Sequence, residues 1–265
     1  MRVALGVEYD GGAFNGYQQQ LQVPSVQETL QIALSQIADE PIQLAAAGRT
    51  DAGVHATGQV VAFETAAERP PRAWLDGVNS LLPATLNVHW ARTVETSFHP
   101  RFDATARRYM YLFYEDARRS TLLDAYAVRS QPLDDDAMHR CAAVLVGEHD
   151  FSTFRAAGCQ SRSPFRCVHR IAIHRFESFV VIDITANAFL LHMVRNITGA
   201  LWQVGQGRGS LSWIRELMRA GDRSRAPATA PARGLYLVDV RYPHERLPGG
   251  RLPGLLRALG SLDRF

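Results

Sequence analysis

A repeated order of strands and helices constrains the fold of this chain more than any other feature. Residues 2–9 alternate between apolar and other side chains as in a half-buried strand, and Ser25 with Glu28 forms a capping box before an apolar helical stripe. The first half has the order βαββαβ: strand 2–9, the helix after Ser25, strands 42–47 and 59–64, helix 71–82 and strand 86–94.

The second half repeats this order with longer connections and one additional helix. Two such units predict a duplicated ferredoxin-like fold of the α+β class, with two lobes, a central and largely antiparallel sheet, and a cleft between the lobes. We expect lobes at 1–99 and 100–245, then a tail at 246–265 that is either a short appendage or disordered. The later elements are strand 106–114, helix 134–146, strands 168–176 and 179–187, helices 189–204 and 211–220, and strand 235–242.

Charge is distributed unevenly along the chain, and all 29 cationic side chains are arginine. Residues 1–100 hold five arginines and ten carboxylates, whereas residues 101–265 hold 24 arginines and 16 carboxylates. Guanidinium groups bind phosphates through paired hydrogen bonds and also stack on bases. The distribution therefore favours a polyanionic partner that the second half binds.

Several protein classes do not fit the composition. No apolar run approaches the ~18 residues of a membrane-spanning helix, and residues 1–8 are typical of a strand instead of a secretion signal. Three cysteines without a Cys-x-x-Cys motif form no disulfide framework and indicate a reducing compartment. We expect a cytoplasmic protein with no membrane partner.

The stretch 48–58, GRTDAGVHATG, is the best candidate for a functional loop. Its glycines allow a tightly folded backbone, and Asp51 is its one carboxylate. Arg49 is close enough in sequence to hold Asp51 ionised, so that Asp51 would act as a nucleophile or base. A surface turn with a local ion pair is the alternative interpretation.

Two arginine-rich segments of the second half are candidates for binding RNA. Residues 98–111, which include Tyr109, interleave aromatic rings with arginines and could stack bases, although a strand with core tyrosines has the same pattern. Residues 151–176 carry five arginines and no carboxylate, so they should repel one another unless nucleic acid covers them. A solvated loop is again the alternative.

Two further possibilities remain open from the residues alone. Cys159, Cys167, His169 and His174 could supply four zinc ligands, as in a zinc hydrolase, although their spacing matches no usual pattern. In the helix predicted at 189–204, Arg195 lies on the face away from the apolar stripe. It could enter the cleft or remain on the surface.

Together these segments resemble the tRNA pseudouridine synthase A family. The resemblance runs in order from about residue 2 to residue 243, and the tail falls outside it. It rests on EYDG (8–11), GRTDAGVHATGQV (48–60), FHPRFDATARRYMY (98–111), GEHDFSTFR (147–155), CQSR (159–162), NAFLLHMVRNITG (187–199) and GLYLVDV (234–240).

The resemblance implies a homodimer that isomerises uridine to pseudouridine at positions 38–40 of the tRNA anticodon stem-loop, without cofactor or metal. It also implies that Asp51 is the catalytic residue and that Tyr109 contacts the substrate. Arg49 and Arg195 match the family's arginines beside the aspartate and in the Met-Val-Arg-Asn helix, and Arg195 would pair with Asp51. The target base would be flipped into the cleft.

The chemistry leaves three routes open for Asp51. An ionised carboxylate can attack ribose C1′, attack uracil C6, or remove a proton from C2′. Two other functions also stay open: a non-catalytic protein that binds or folds tRNA, and a pseudouridine synthase that acts at other tRNA positions.

Overall fold

The structure is a computed structural model that describes residues 1–259, and it divides into two compact units. The first unit comprises Met1–Thr105 together with the chain from Tyr236 onward, and the second comprises Ala106–Leu235. Among the described residues, no helix has both the length and the apolar character needed to cross a membrane.

Ten strands and five α-helices form within residues 1–259. Strands β1 to β10 span Arg2–Tyr9, Ala45–Ala46, His55–Glu64, Leu86–Val94, Ala106–Glu115, Val128–Ser130, Gly147–Asp150, Phe165–Phe176, Phe179–Ala186 and Leu235–Arg241. Helices α1 to α5 span Val26–Ala38, Asp135–Ala142, Met193–Gly205, Leu211–Ala220 and Gly254–Ala258.

The first unit forms a sheet in the order β4-β1-β3-β10, with β2 also paired to β3. Strand β1 runs antiparallel to both neighbours, and its Leu5 faces Val61 of β3 and Ala91 of β4. Ser25 caps α1 by accepting a hydrogen bond from the Glu28 amide at 3.3 Å, which confirms the predicted helix start.

The second unit forms an antiparallel sheet in the order β5-β9-β8-β7, and β6 pairs with β5 in parallel. Tyr111, Leu112 and Phe113 of β5 are fully buried, so this strand lies in the core. Each unit combines mainly antiparallel strands with helices. The predicted α+β class with ferredoxin-like lobes is therefore confirmed.

The boundary between the units differs from the predicted division at residue 99 and at residue 245. Strand β10 was expected to close the second lobe, but from Tyr236 onward it belongs to the first unit. There Tyr236 and Leu237 pair in parallel with His55 and Ala56 of β3. Alternating apolar residues reveal that a strand exists, whereas its pairing partner depends on tertiary contacts.

Some local elements also differ from the prediction. The helix expected from residue 189 begins at Met193, because His192 adopts a left-handed conformation at φ 58° that a helix cannot include. The helix expected at 71–82 contains a π turn over Ala73–Gly77, and strands β6 and β7 were not predicted.

The predicted tail is ordered against the first unit over its described part. Leu247 packs on a core cluster that includes Phe98, and Leu256 is fully buried. The carbonyl of Arg251 accepts a hydrogen bond from the Thr57 hydroxyl, and its guanidinium lies 2.8 Å from His89 Nδ1. Residues 260–265 of the predicted tail lie outside the described residues.

Close packing of β3 against β10 predicts that Gly58→Ala destabilises the protein. A Cβ at Gly58 would lie 2.2 Å from the Val238 carbonyl oxygen, which belongs to the backbone and cannot rotate away. We expect the free energy of unfolding in urea to fall by about 1–3 kcal/mol. Gly249→Ala is the matched control, because a Cβ there meets no atom within 4 Å. Equal stability of the two variants would contradict this account of the β3–β10 contact.

Candidate active site

Asp51 lies in the tight loop between β2 and β3 of the first unit. The Val54 amide donates a hydrogen bond to the Asp51 carbonyl at 3.1 Å, which closes the turn. Gly53 adopts φ 78°, a left-handed conformation that favours glycine, and its amide donates to the Gly11 carbonyl at 3.2 Å. Asp51 is half-buried, so part of this residue remains accessible to solvent.

A chain of buried hydrogen bonds holds the backbone beside Asp51. The Tyr9 hydroxyl lies 2.8 Å from the hydroxyl of Thr50, the residue directly before Asp51. Gln59, fully buried on β3, donates from its amide to the Gly48 carbonyl at 2.7 Å and to the Tyr9 oxygen at 3.4 Å. Burial raises the pKa of Tyr9 to about 12, so its hydroxyl stays protonated at neutral pH.

The backbone of the same loop is also attached to the segment that follows β1. The Tyr17 amide donates to the Thr50 carbonyl at 3.0 Å. Gly16, at φ 95°, lies so close that a Cβ there would be 3.0 Å from that carbonyl oxygen. Thr50 is therefore held through both its side chain and its backbone, which restricts the position of Asp51.

His55 is the first residue of β3, close after Asp51 in the chain, and it is 2% exposed. Its Nδ1 accepts a hydrogen bond from the Gly11 amide at 3.1 Å and lies 3.2 Å from an Asp10 carboxylate oxygen. Because the Gly11 amide is a donor, Nδ1 acts as the acceptor in that hydrogen bond. The ring stacks on Tyr236 at a centroid distance of 4.7 Å.

Arg49 was expected to keep Asp51 ionised by its opposite charge. Its side chain is exposed, and within the described residues no ion pair or hydrogen bond joins it to Asp51. The expectation that the charge of Arg49 keeps Asp51 ionised is therefore not supported by a direct ion pair, and it stays a prediction. Two residues of separation allow contact only in some turn geometries, and this turn directs Arg49 to solvent.

Tyr109 and Arg195 lie in the second unit, whereas Asp51 and Arg49 lie in the first. Tyr109 is 9% exposed on β5, and its ring meets Phe189 edge to face at 5.1 Å. Arg195 lies in the first turn of α3, where its Nε donates to the Ala230 carbonyl at 2.8 Å. Its side chain is half-buried.

Tyr111 provides a second buried phenol near Arg195. Its hydroxyl donates to the Pro231 carbonyl at 2.8 Å. Burial raises the pKa of Tyr111, and the positive charges of Arg195 and Arg233 lower it by a smaller amount.

Four of the five arginines in segment 151–176 have hydrogen-bond or ion-pair partners within the second unit. Carboxylates neutralise two of them, which corrects the expectation that the whole segment needs a polyanion. Arg170 and Arg175 pair with carboxylates, at 3.0 Å from Asp183 and 2.8 Å from Glu115. Arg155 and Arg166 donate to carbonyl and hydroxyl oxygens of the loop that contains Ser161. Those carboxylates lie outside the segment in sequence, so a local count of charge could not include them.

Arg162 differs from these four. It is exposed, and within the described residues no hydrogen bond or ion pair is found for it. Among residues 1–259, no three His, Cys, Asp or Glu side chains are grouped so that they could hold a metal ion.

The supporting residues Tyr9, Thr50 and Gln59 were not predicted from the sequence. Tyr9 looked like an ordinary core residue of an alternating strand. Gln59 carries the one signal that could have identified it, because an uncharged amide within the apolar strand His55–Glu64 requires a buried hydrogen-bond partner.

A model of the tRNA pseudouridine synthase family matches residues 6–103 and 141–243, which is more than half of the chain. The chain belongs to the tRNA pseudouridine synthase family. It is therefore an isomerase, and its reaction converts uridine in tRNA. The loop 48–58, which contains Asp51, lies within the matched residues.

Curated relatives extend this similarity over nearly the full length. The chain is 54% identical over 251 residues to tRNA pseudouridine synthase A of Shewanella loihica, covering 94% of this chain and 96% of the relative. It is 53% identical over 249 residues to the protein of that name from Klebsiella pneumoniae, covering 93% and 92%. For the protein from Shewanella denitrificans the identity is 53% over 246 residues, covering 92% and 94%.

The hydrogen bonds beneath the loop predict that Tyr9→Phe slows the chemical step. Without its hydroxyl, Thr50 and Gln59 lose their shared partner and the carboxylate is held less firmly, so we expect kcat for pseudouridine formation to fall about tenfold with little change in KM. Tyr114→Phe removes a comparably buried hydroxyl in the second unit and is the control. An unchanged kcat for Tyr9→Phe would show that the hydroxyl has no role in positioning Asp51.

Proposed function

We propose that this chain isomerises uridine to pseudouridine at positions 38–40 of the tRNA anticodon stem-loop, with Asp51 as the essential nucleophile or base. The observation that carries the proposal is the half-buried Asp51 carboxylate on a loop held by Tyr9, Thr50 and Gln59. A rigid backbone matters because a small misplacement of a reacting group lowers the rate strongly.

The reaction explains why a carboxylate is sufficient. The bond between ribose C1′ and uracil N1 breaks, the base turns, and C1′ bonds to C5 instead. N1 gains a proton and C5 loses one, so no atom is added overall and no cofactor is required. Attack at C1′, attack at C6 and proton removal from C2′ each use an ionised Asp51.

The other site residues are assigned to binding the substrate. The target nucleotide must leave its stack, and we assign Tyr109, which is 9% exposed, to contact the extruded uracil. The proposal requires Tyr109 and Arg195 to reach the same nucleotide as Asp51. Arg49 is exposed, so its guanidinium is available for a phosphate or for the position that the base leaves.

The partners and setting follow from the family resemblance and the charge distribution. We assign the anticodon stem-loop of tRNA as substrate, a homodimer as the assembly and the cytoplasm as the compartment. Residues 101–265 hold 24 arginines against 16 carboxylates, and this excess of positive charge favours binding of an RNA substrate.

Two alternatives make different predictions. A synthase acting at other tRNA positions would place pseudouridine outside 38–40 when tRNA from cells with and without the protein is chemically labelled and sequenced. A non-catalytic tRNA-binding or folding protein would retain its role in cells when Asp51 is replaced by Asn. Membership of the tRNA pseudouridine synthase family favours the catalytic assignment over the second alternative.

Substitution of Asp51 tests the reaction directly. With purified protein and uridine-containing tRNA, we expect Asp51→Ala and Asp51→Asn to reduce pseudouridine formation by at least about 100-fold, because the reacting carboxylate is lost. The affinity for tRNA should change little, since neither variant removes a cation. Undiminished product from Asp51→Ala would contradict the assignment.

The arginine contacts predict which residues set the salt dependence of tRNA binding. The logarithm of the tRNA binding constant falls linearly with the logarithm of salt concentration, with a negative slope. Arg162→Ala should reduce the magnitude of that slope by about 1, because it removes one exposed phosphate contact. Arg175→Ala makes the same charge change but removes a guanidinium already paired with Glu115 and Asp135. That control should leave the slope unchanged and reduce the free energy of unfolding by about 1–3 kcal/mol. Equal slopes for Arg162→Ala and the unmodified protein would show that Arg162 does not contact a phosphate of the RNA.

A further inference from the structure

Phe102 exposes 75% of its side chain on the loop between β4 and β5. Neither Asp51 catalysis nor the core of the first unit makes use of this ring. A single exposed aromatic residue is common on protein surfaces. The loop that carries Phe102 is unusual because both of its ends and its tip are held by specific contacts.

Both ends of the loop are attached to the segment around the end of β10. Phe98 is buried and meets the Tyr242 ring edge to face at 5.0 Å. The Tyr242 hydroxyl donates to the Pro100 carbonyl at 2.7 Å. On the other side, the Thr105 amide donates to the Arg241 carbonyl at 2.9 Å. These contacts leave only residues 101–104 to form the tip.

The tip is itself organised around His99. Its Nδ1 accepts hydrogen bonds from the amides of Arg101 and Phe102 at 3.1 and 3.3 Å. The Asp103 carboxylate accepts the His99 amide at 2.8 Å, and the Asp103 amide donates to the His99 carbonyl at 3.1 Å. The backbone at Phe102 is therefore ordered before any partner binds.

The surroundings of the Phe102 ring suit a base with its phosphate. The His99 ring packs against it at a centroid distance of 4.3 Å, which supports the ring from within the protein. The Arg101 guanidinium lies 5.8 Å from the ring centroid. An aromatic ring beside a guanidinium is the combination by which proteins bind unpaired nucleotides, through stacking and a phosphate contact respectively.

We propose that Phe102 is a stacking platform for an unpaired base of the tRNA substrate, and that Arg101 contacts a phosphate next to that base. The proposal rests on the proposed function for the identity of the partner, and it adds Phe102 and Arg101 to the residues assigned there to binding the substrate. Because the loop is already ordered, stacking would cost little conformational entropy.

The experiment measures the tRNA affinity of variants that distinguish the aromatic face of Phe102 from its apolar character. Phe102→Leu retains an apolar side chain without an aromatic face, whereas Phe102→Tyr retains the face. We expect Kd to rise about 5- to 100-fold for Phe102→Leu, and to stay near the original value for Phe102→Tyr. Ile32→Ala, at an exposed apolar position on α1, is the control and should bind tRNA normally.

A second measurement identifies the stacked base. Full-length tRNAs carrying one abasic residue at successive unpaired positions are bound to the unmodified protein and to Phe102→Leu. At one position, loss of the base should weaken binding to the unmodified protein by a similar factor and have little further effect on the variant. Affinity of Phe102→Leu within about twofold of the original, or no position coupled to Phe102, overturns the proposal.

The same variants separate this inference from its rivals. If sedimentation shows that Phe102→Leu changes the number of subunits, the ring belongs to a protein interface and the proposal is overturned. Pseudouridine formation is measured in parallel. If pseudouridine forms but no abasic position is coupled to Phe102, only the stacking proposal is overturned. If an abasic position is coupled to Phe102 but no pseudouridine forms, the proposed reaction is overturned and the stacking proposal is retained.

Discussion

The buried amide of Gln59 is the interaction on which the candidate site depends most. It joins the loop that contains Asp51, through the Gly48 carbonyl, to Tyr9 on the neighbouring strand, and Tyr9 in turn holds Thr50. Losing one partner would leave buried polar groups unsatisfied, at a cost of about 1–3 kcal/mol each. The position of the Asp51 backbone is thus coupled to the core of the first unit.

The pairing of β1 with β3 makes this interaction possible. Val7 lies opposite Gln59, but the register shifts before Tyr9, which lies opposite Ala56. A shift of this kind changes the direction of a side chain relative to a regular strand. A local irregularity near the end of β1 therefore brings the Tyr9 hydroxyl to Thr50.

Arginine serves two purposes in this protein, and position in the fold distinguishes them. Arg108 and Arg170 both bind the buried carboxylate of Asp183, where they satisfy a charge inside the second unit. Arg49 and Arg162 are exposed on loops and are free of such contacts within the described residues.

The loops at 47–54 and 98–105 are built in a similar way. In each, hydrogen bonds to neighbouring backbone hold a short turn from which one side chain projects.

Local pattern was sufficient for several features of the chain. The alternation in β1, the capping box at Ser25 and the glycines around Asp51 each act over a few residues, so they predicted strand, helix start and tight loop correctly. The resemblance, carried by ordered motifs, indicated the family that the comparisons establish.

Other features depend on residues far apart in the sequence. The placement of β10 beside β3, the acids that neutralise Arg170 and Arg175, the exposure of Arg49 and the packing of the tail against the first unit all required the folded chain. Hydrophobic periodicity specifies which face of an element is buried. It does not specify which element covers that face, because burial of apolar surface has no direction of its own.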